Sequence, residues 1–108
     1  SHVNRGAVAN IDGRFTLEFS HTVDETGLHP VEGLRIPEGV YGMTAALAEH
    51  QTLLADACGT GDPHDLYRAL LAYPIGSDTK AARTLWKKLL TTSRDCIAPG
   101  FQELSRYL

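Results

Sequence analysis

Asn4-Arg5-Gly6-Ala7-Val8-Ala9-Asn10-Ile11 combines small and β-branched residues with two asparagines and a glycine. The small and branched residues predict a β-strand over Val3–Ile11. Glycine and asparagine are disfavoured inside strands, and a strand that carries them usually has a bulge or approaches a ligand closely. An edge strand with polar side chains explains the pattern equally well. If the segment lines a pocket, its substrate-binding residues are Asn4, Arg5, Gly6 and Asn10.

A second strand is predicted after the turn dipeptide Asp12-Gly13. Apolar and polar residues alternate over residues 14–21, which places Phe15, Leu17 and Phe19 on one face. A period of two is typical of a half-buried strand. This strand pairs with the first one as a hairpin, or the first strand pairs with chain further upstream.

Residues 23–36 have the composition of a loop, because turn-forming residues recur along them. Loops carry binding residues more often than regular elements do. His29, in a Gly-Leu-His-Pro turn, is therefore the fifth candidate substrate-binding residue.

Three helices are predicted in the second half: one over about residues 38–58, one from the N-cap Asp62 to the stop at Pro74, and one from Ser77 or Asp78 to about residue 97. Asp62 is a suitable N-cap for the second helix and Pro63 a suitable first residue. The period of 3.6 assigns the following residues to buried faces: Val40, Met43, Leu47, Leu54 and Cys58; Leu66, Ala69, Leu70 and Tyr73; Ala82, Leu85, Trp86 and Leu89. The predicted class is α+β, with short N-terminal β-strands followed by three α-helices.

The composition is that of an ordinary globular domain of 108 residues, with 43% hydrophobic and 21% charged residues. A net charge of −3 disfavours a nucleic-acid partner. No apolar run has the length of a membrane span, and no signal peptide is visible. The spacing of Cys58 and Cys96 favours reduced thiols over a disulfide. We therefore expect a cytoplasmic location, without nucleic-acid or membrane partners.

The remaining motifs do not point to chemistry. Gly59-Thr60-Gly61-Asp62 follows a helix rather than a strand, so it predicts a helix end and a new N-cap, not a phosphate-binding loop. The histidines lack metal-binding spacing, and no nucleophile motif is present. The basic residues Lys80, Arg83, Lys87 and Arg94 fit a solvated helix face. No catalytic, cofactor-binding or metal-binding residue is assigned.

The chain does not begin with methionine, and its single Met is Met43. Residues Ser1-His2 are expected to be a scar of tag removal. Residues 3–108 are expected to be the C-terminal domain of a longer protein.

The order of several short motifs resembles the C-terminal portion of family-4 glycoside hydrolases. These motifs are Asn4-x-Gly6-x-Val8-x-Asn10-Ile11, Val23-Asp24-x-x-Gly27-Leu28-x-Pro30 and Gly33-x-x-Ile36-Pro37, then Gln51, Leu54 and Ala57, Gly61-Asp62 and Ala69-Leu70-Leu71-Ala72-Tyr73-Pro74. The resemblance extends from Val3 to about Leu90 and depends on the order and spacing of the motifs.

The resemblance implies a fold like the C-terminal domain of lactate and malate dehydrogenases. It implies a parent enzyme of the α-glucosidase, α-galactosidase or 6-phospho-glucosidase type that needs NAD and manganese. The implied reaction oxidises the 3-hydroxyl of the sugar, eliminates the aglycone, adds water and reduces the ketone again. The nucleotide loop, the metal-binding Cys and His and the catalytic Tyr of the family lie upstream, so we expect this fragment alone to be inactive and to bind neither cofactor.

The resemblance also implies a missing N-terminal nucleotide-binding domain, further copies in a homo-oligomer and a small sugar substrate of the parent enzyme. Two alternatives stay open: a small helical protein-interaction module and the C-terminal domain of a 2-hydroxyacid dehydrogenase. The Asn-x-Gly-x-Val-x-Asn segment argues against the dehydrogenase, and a helical module does not explain it. The sequence leaves open the sugar, its anomer, and whether it carries a phosphate or a uronate group.

Overall fold

A computed structural model describes residues 1–76 and 78–108, and it shows an α+β fold in which short antiparallel strands precede the helices. The strands are β1 (His2–Val3), β2 (Thr16–Leu17), β3 (His21–Asp24) and β4 (Gly27–Pro30). The helices are α1 (Glu38–Thr60), α2 (Pro63–Leu71) and α3 (Thr79–Thr92), followed by 3₁₀ helices over Arg94–Cys96 and Pro99–Arg106. The predicted class is confirmed.

The chain divides into two compact units, Ser1–Glu49 and His50–Leu108. The first unit contains two separate antiparallel pairs, β1 with β2 and β3 with β4. Its buried apolar core consists of Val8, Ile11, Phe15 and Ala48. The core of the second unit consists of Ala57, Leu66, Leu90, Phe101 and Leu104.

The prediction of a strand over Val3–Ile11 is wrong beyond Val3. Within this segment the structure has His2–Val3 as a strand, and it pairs with Thr16–Leu17, as in the predicted hairpin. Residues 4–15 form a loop in which Asn4 binds the loop's own backbone and Asn10 binds the backbone of Ile36. Within it, Val8 makes a single parallel bridge to Leu34.

The loop prediction for residues 23–36 is wrong at its start. His21–Asp24 and Gly27–Pro30 form a β-hairpin, which we call the arm. The Asp24 carboxylate accepts a hydrogen bond from the Thr26 N–H at 2.7 Å, and Gly27 has a φ of 128°. An aspartate that holds the backbone two residues ahead is a recognised turn device, and glycine tolerates the positive φ.

The second helix begins as predicted. The Asp62 side chain accepts a hydrogen bond from the His64 N–H at 2.7 Å, and Pro63 is the first helical residue. Leu66 and Ala69 are buried. Asp78 caps α3 in the same way, through the N–H groups of Lys80 and Ala81. The alternative start at Ser77 lies outside the described residues.

Several residues predicted to face the core are exposed. In α1, Val40 and Met43 are 53% and 51% exposed, whereas Ala48 and Ala57 are buried and Leu54 packs against the second core. In α3, Leu85 and Leu89 are exposed and Leu90 is buried instead. In α1 the small alanine side chains allow other residues to pack closely against the helix. In α3 the buried face is rotated by about 100° from the predicted one, because Leu90 is one position after Leu89 and each residue turns the helix by that angle.

The third helix also ends earlier than residue 97, because the chain turns to a 3₁₀ helix after Ser93. Cys58 and Cys96 are free thiols, and both are exposed, so Cys58 is not part of the buried face. None of the helices within residues 1–76 and 78–108 combines the length and the apolar character needed to cross a membrane.

Candidate functional site

Asn4 organises the loop of residues 4–15. It is 1% exposed, and its Nδ2 donates to the carbonyls of Val8, Ile11 and Asp12 at 3.0, 3.2 and 3.3 Å. Its Oδ1 accepts from the Val8 N–H at 2.7 Å. A side-chain amide has two hydrogens, and both are taken by loop carbonyls. Asn4 therefore has the geometry of a positioning residue in this conformation.

Arg5 and Gly6 form the exposed turn that Asn4 supports. Their φ angles are 47° and 95°, and the Ala7 N–H donates to the Asn4 carbonyl at 2.9 Å. Two consecutive positive φ angles closed by this hydrogen bond are the features of a type I′ turn. Asn or Gly normally occupies the first central position, so arginine there is strained by roughly 1–3 kcal/mol. Such strain is concentrated at functional sites.

The backbone N–H of Arg5 donates to the Gly13 carbonyl at 2.9 Å, whereas its side-chain donors are free within the described residues. Among the described residues, the exposed Arg5 guanidinium forms no ion pair. A Cβ placed on Gly6 would meet no atom within 4 Å, which shows open space beside the backbone. A guanidinium offers five N–H donors in a planar fork, a good match for hydroxyl, carboxylate or phosphate oxygens.

Asn10 fixes the other end of the loop. Its Nδ2 donates to the Ile36 carbonyl at 2.9 Å, and its Oδ1 accepts from the Ile36 N–H at 2.9 Å. The side chain thus imitates a peptide group in a β-ladder. The side-chain amide of Asn10, like that of Asn4, forms its hydrogen bonds with backbone groups. Of the four candidate residues in this loop, Arg5 has an exposed guanidinium and Gly6 has open space beside its backbone.

His29 lies on the arm and binds its neighbours there. Its Nε2 is 2.8 Å from Thr26 Oγ1 and 3.0 Å from Asp24 Oδ1, and the Thr26 hydroxyl donates to the same Asp24 oxygen at 2.6 Å. A catalytic triad needs the acid and the nucleophile on opposite ring nitrogens. Here both contact Nε2, so the cluster is a structural network rather than a proton relay.

This network also lowers the pKa of Asp24. Hydrogen bonds from the Thr26 hydroxyl, the Thr26 backbone N–H and His29 lower the pKa of the Asp24 carboxyl below its ordinary value. The sequence predicts turn residues here, but it does not identify Asp24 and Thr26 as partners of His29. The Asp-x-Thr spacing is the signal that could have revealed them.

The residues present do not fit a resident metal. Within the described part of the chain, no three His, Cys, Asp or Glu side chains lie close enough to hold an ion. The two cysteines are exposed and distant in sequence. No chemical step through a metal is therefore derived from these side chains.

The family model of the family 4 glycosyl hydrolase C-terminal domain matches residues 1–75. This range contains the loop of residues 4–15, the arm, α1 and α2. No curated protein and no solved structure matches the chain significantly.

Proposed function

Because this chain belongs to the family 4 glycosyl hydrolase C-terminal domains, we propose that it forms the substrate-pocket and oligomerisation part of an NAD- and divalent-metal-dependent glycosidase. The observation that carries the proposal is the family match over residues 1–75, which includes the strained turn at Arg5 and Gly6. Membership of this family argues against the alternatives of a helical interaction module and a hydroxyacid dehydrogenase domain.

In this proposal the cofactor chemistry belongs to a nucleotide-binding domain that precedes the chain. NAD would supply hydride transfer and manganese would supply Lewis acidity when bound there. The reaction would hydrolyse a glycosidic bond by oxidation, elimination and addition. The described side chains of this chain contain no group suited to these steps, so the fragment alone would be inactive.

The contribution of this chain would be to hold the sugar. Asn4 and Asn10 fix the loop through the backbone of Val8 and Ile36, and this leaves the Arg5 guanidinium and the bare backbone of Gly6 directed at solvent. A hydrogen bond to a charged group contributes about 1.5–3 kcal/mol. The turn already fixes the backbone of Arg5, so binding orders only its side chain.

Arg5 also suits an oxygen-rich ligand better than an apolar one. Its side chain is exposed and has no acidic partner among residues 1–76 and 78–108. His29 stays a weaker candidate, because its ring nitrogen is already engaged by Asp24 and Thr26. The identity of the sugar is left open by this arrangement.

The test is an assay of the longer protein that carries this domain, on a panel of nitrophenyl glycosides and their 6-phosphates. We expect hydrolysis that requires both NAD and manganese, and none from residues 1–108 alone. Hydrolysis that persists after removal of NAD and chelation of metal would contradict the proposal, as would inactivity on every substrate of the panel.

A further inference from the structure

A small apolar cavity opens into the core of the second unit. Its volume is about 260 Å³, and α1, α2, α3 and the segment after α3 all contribute to its wall. Leu66, Leu90 and Phe101 line its inner part and are buried. Protein interiors are close-packed and rarely contain a void larger than a water molecule. A space of this size that reaches buried core residues is therefore a candidate binding site.

Two residues at the mouth of the cavity are exposed, although the helical period assigns them to buried faces. Leu89 in α3 is 50% exposed, and Cys58 in α1 is also exposed. Both occupy positions of a face that is normally covered, and the cavity beside them leaves them open to solvent. A molecule that fills the cavity covers both of them and removes their apolar surface from water.

The wall of the cavity has little polar character. None of the described residues in it is charged, and its polar side-chain groups are the Ser93 hydroxyl, the Cys58 thiol and the Trp86 indole N–H. An ordered water needs about two to four polar partners, so a wall with so few polar groups holds water poorly. A charged molecule would lose its hydration shell there without gaining a partner of opposite charge. The occupant that fits is uncharged and apolar.

The volume of the cavity limits the size of this occupant. An apolar cavity of about 150 Å³ in another protein binds benzene, and the cavity described here is larger, at about 260 Å³. Pockets for drug-sized ligands start at about 300 Å³. The cavity therefore suits one aromatic ring with small substituents. Trp86 and Phe101 in the wall favour a ring, because aromatic groups pack well edge to face or offset.

We propose that the second unit binds a small uncharged aromatic molecule in this cavity. The bound ring covers Cys58 and Leu89 at the mouth. It also supplies the packing contacts that Leu66, Leu90 and Phe101 lack on the side of the cavity. The ligand stabilises the second unit, because it binds the folded chain and not the unfolded one. The inference does not rest on the glycosidase function, so either can fail without the other.

The first test follows the binding of benzene to residues 1–108 through the fluorescence of Trp86, which lines the cavity and is the single tryptophan of the chain. We expect a saturable change in its emission with a Kd of about 0.1–1 mM, within the range of affinities that such small ligands reach. Benzoate is the same ring with a charge, and it should cause no saturable change. The absence of a response to benzene, or equal responses to benzene and benzoate, would overturn the proposal.

The two free cysteines give a second readout that is specific to the cavity. Cys58 lies at the mouth, and Cys96 is exposed but does not line the cavity. At about ten times its Kd benzene leaves roughly a tenth of the chains empty, so iodoacetamide should alkylate Cys58 about threefold to tenfold more slowly. The rate at Cys96 should not change. Mass spectrometry of the two peptides measures both rates, and equal slowing at both cysteines, or slowing at neither, would contradict binding in this cavity.

Ser93→Leu should fill the cavity and block binding. Ser93 lines the wall, and its side chain makes no capping hydrogen bond, so leucine adds volume there without removing such a bond. Benzene should bind this variant about tenfold more weakly or less, because little space remains. Ser20→Leu, the same change at an exposed position in the first unit, is the matched control and should bind benzene as wild type does.

Circular dichroism verifies that the helices of both variants are intact. A folded Ser93→Leu variant with the wild-type Kd would overturn the proposal. The alkylation experiment needs wild type alone, so it decides the question even if Ser93→Leu does not fold.

Discussion

Asn4 and Val8 close a ring of two hydrogen bonds, from Asn4 Nδ2 to the Val8 carbonyl at 3.0 Å and from the Val8 N–H to Asn4 Oδ1 at 2.7 Å. The asparagine side chain thereby satisfies both backbone polar groups of Val8. Because Asn4 is buried, loss of its amide would leave loop N–H and C=O groups without partners.

Replacing Asn4 by alanine should lower the free energy of unfolding by at least ~1–3 kcal/mol, the cost of leaving buried polar groups unpaired. The Val8 amide hydrogen should also exchange faster with solvent. Urea denaturation and hydrogen exchange by NMR measure the two effects. Ser20→Ala, at an exposed position, is the control and should change the stability by less than ~0.5 kcal/mol. Equal stability of the two variants would show that Asn4 does not hold the loop.

Gly100 allows a close backbone approach in the second unit. A Cβ at this position would lie 2.7 Å from the carbonyl oxygen of Gly61. Gly100→Ala should therefore destabilise the chain by about 1–3 kcal/mol, as overpacking does. Gly59→Ala is the matched control, since its Cβ meets nothing within 4 Å and alanine favours the helix by up to ~1 kcal/mol. Thermal denaturation should place the two variants on opposite sides of wild type, and a Gly100→Ala midpoint at or above wild type would refute the close approach.

The arm should lose the contribution of the Asp24 carboxylate in acid. The pKa of the Asp24 carboxyl is lowered by its hydrogen bonds, first of all by that of the Thr26 hydroxyl. Because the pKa of Asp24 is lower in the folded chain than in the unfolded chain, the ionised carboxylate stabilises the arm at any pH above the unfolded pKa of about 3.9. This stabilisation is lost as the pH falls through the pKa of the folded chain. Thr26→Val should raise the pKa of Asp24 toward its ordinary value in an NMR titration. A midpoint that does not move would mean that the Thr26 hydroxyl does not bind this carboxylate.

Helix starts were predictable from the sequence because their chemistry is local. Asp62 and Pro63 act on residues one or two positions away, and the structure has them as the N-cap and the first residue of α2. The inward face of α3 was not predictable. Leu85 and Leu89 have the same four-residue spacing as Trp86 and Leu90. Tertiary packing buries Leu90 and half-buries Trp86, whereas Leu85 and Leu89 stay exposed.

The sequence identified residues 4–11 as an unusual segment, but it predicted a strand where the structure has a loop. Its polar residues indicated an unusual segment, but the partner of Asn10 is Ile36, 26 residues away. A contact of this range has no local signature. The positive φ of Arg5 depends on the loop conformation that Asn4 and Asn10 hold. The backbone strain at Arg5 could therefore not be inferred from the residue types alone.

Calorimetry should detect no NAD binding to residues 1–108, with or without manganese. The described residues hold no cluster of three metal-ligating side chains, and no β-strand leads into a glycine-rich loop and helix. The longer protein serves as the positive control. Saturable binding of NAD to the isolated chain at micromolar concentration would place cofactor chemistry within this domain and refute the assignment to an upstream one.

Whether the Arg5–Gly6 turn contacts the sugar is tested most directly by Arg5→Asn in the longer protein, with kcat/KM and the free energy of unfolding measured on the same sample. Asparagine tolerates the positive φ of Arg5, so the stability should stay equal or rise by up to ~1 kcal/mol. The catalytic efficiency should fall about tenfold to hundredfold, the effect of one lost charged hydrogen bond. Arg35→Asn, also at an exposed arginine, should change neither. A variant Arg5→Asn with wild-type kcat/KM would contradict the proposed role of this turn.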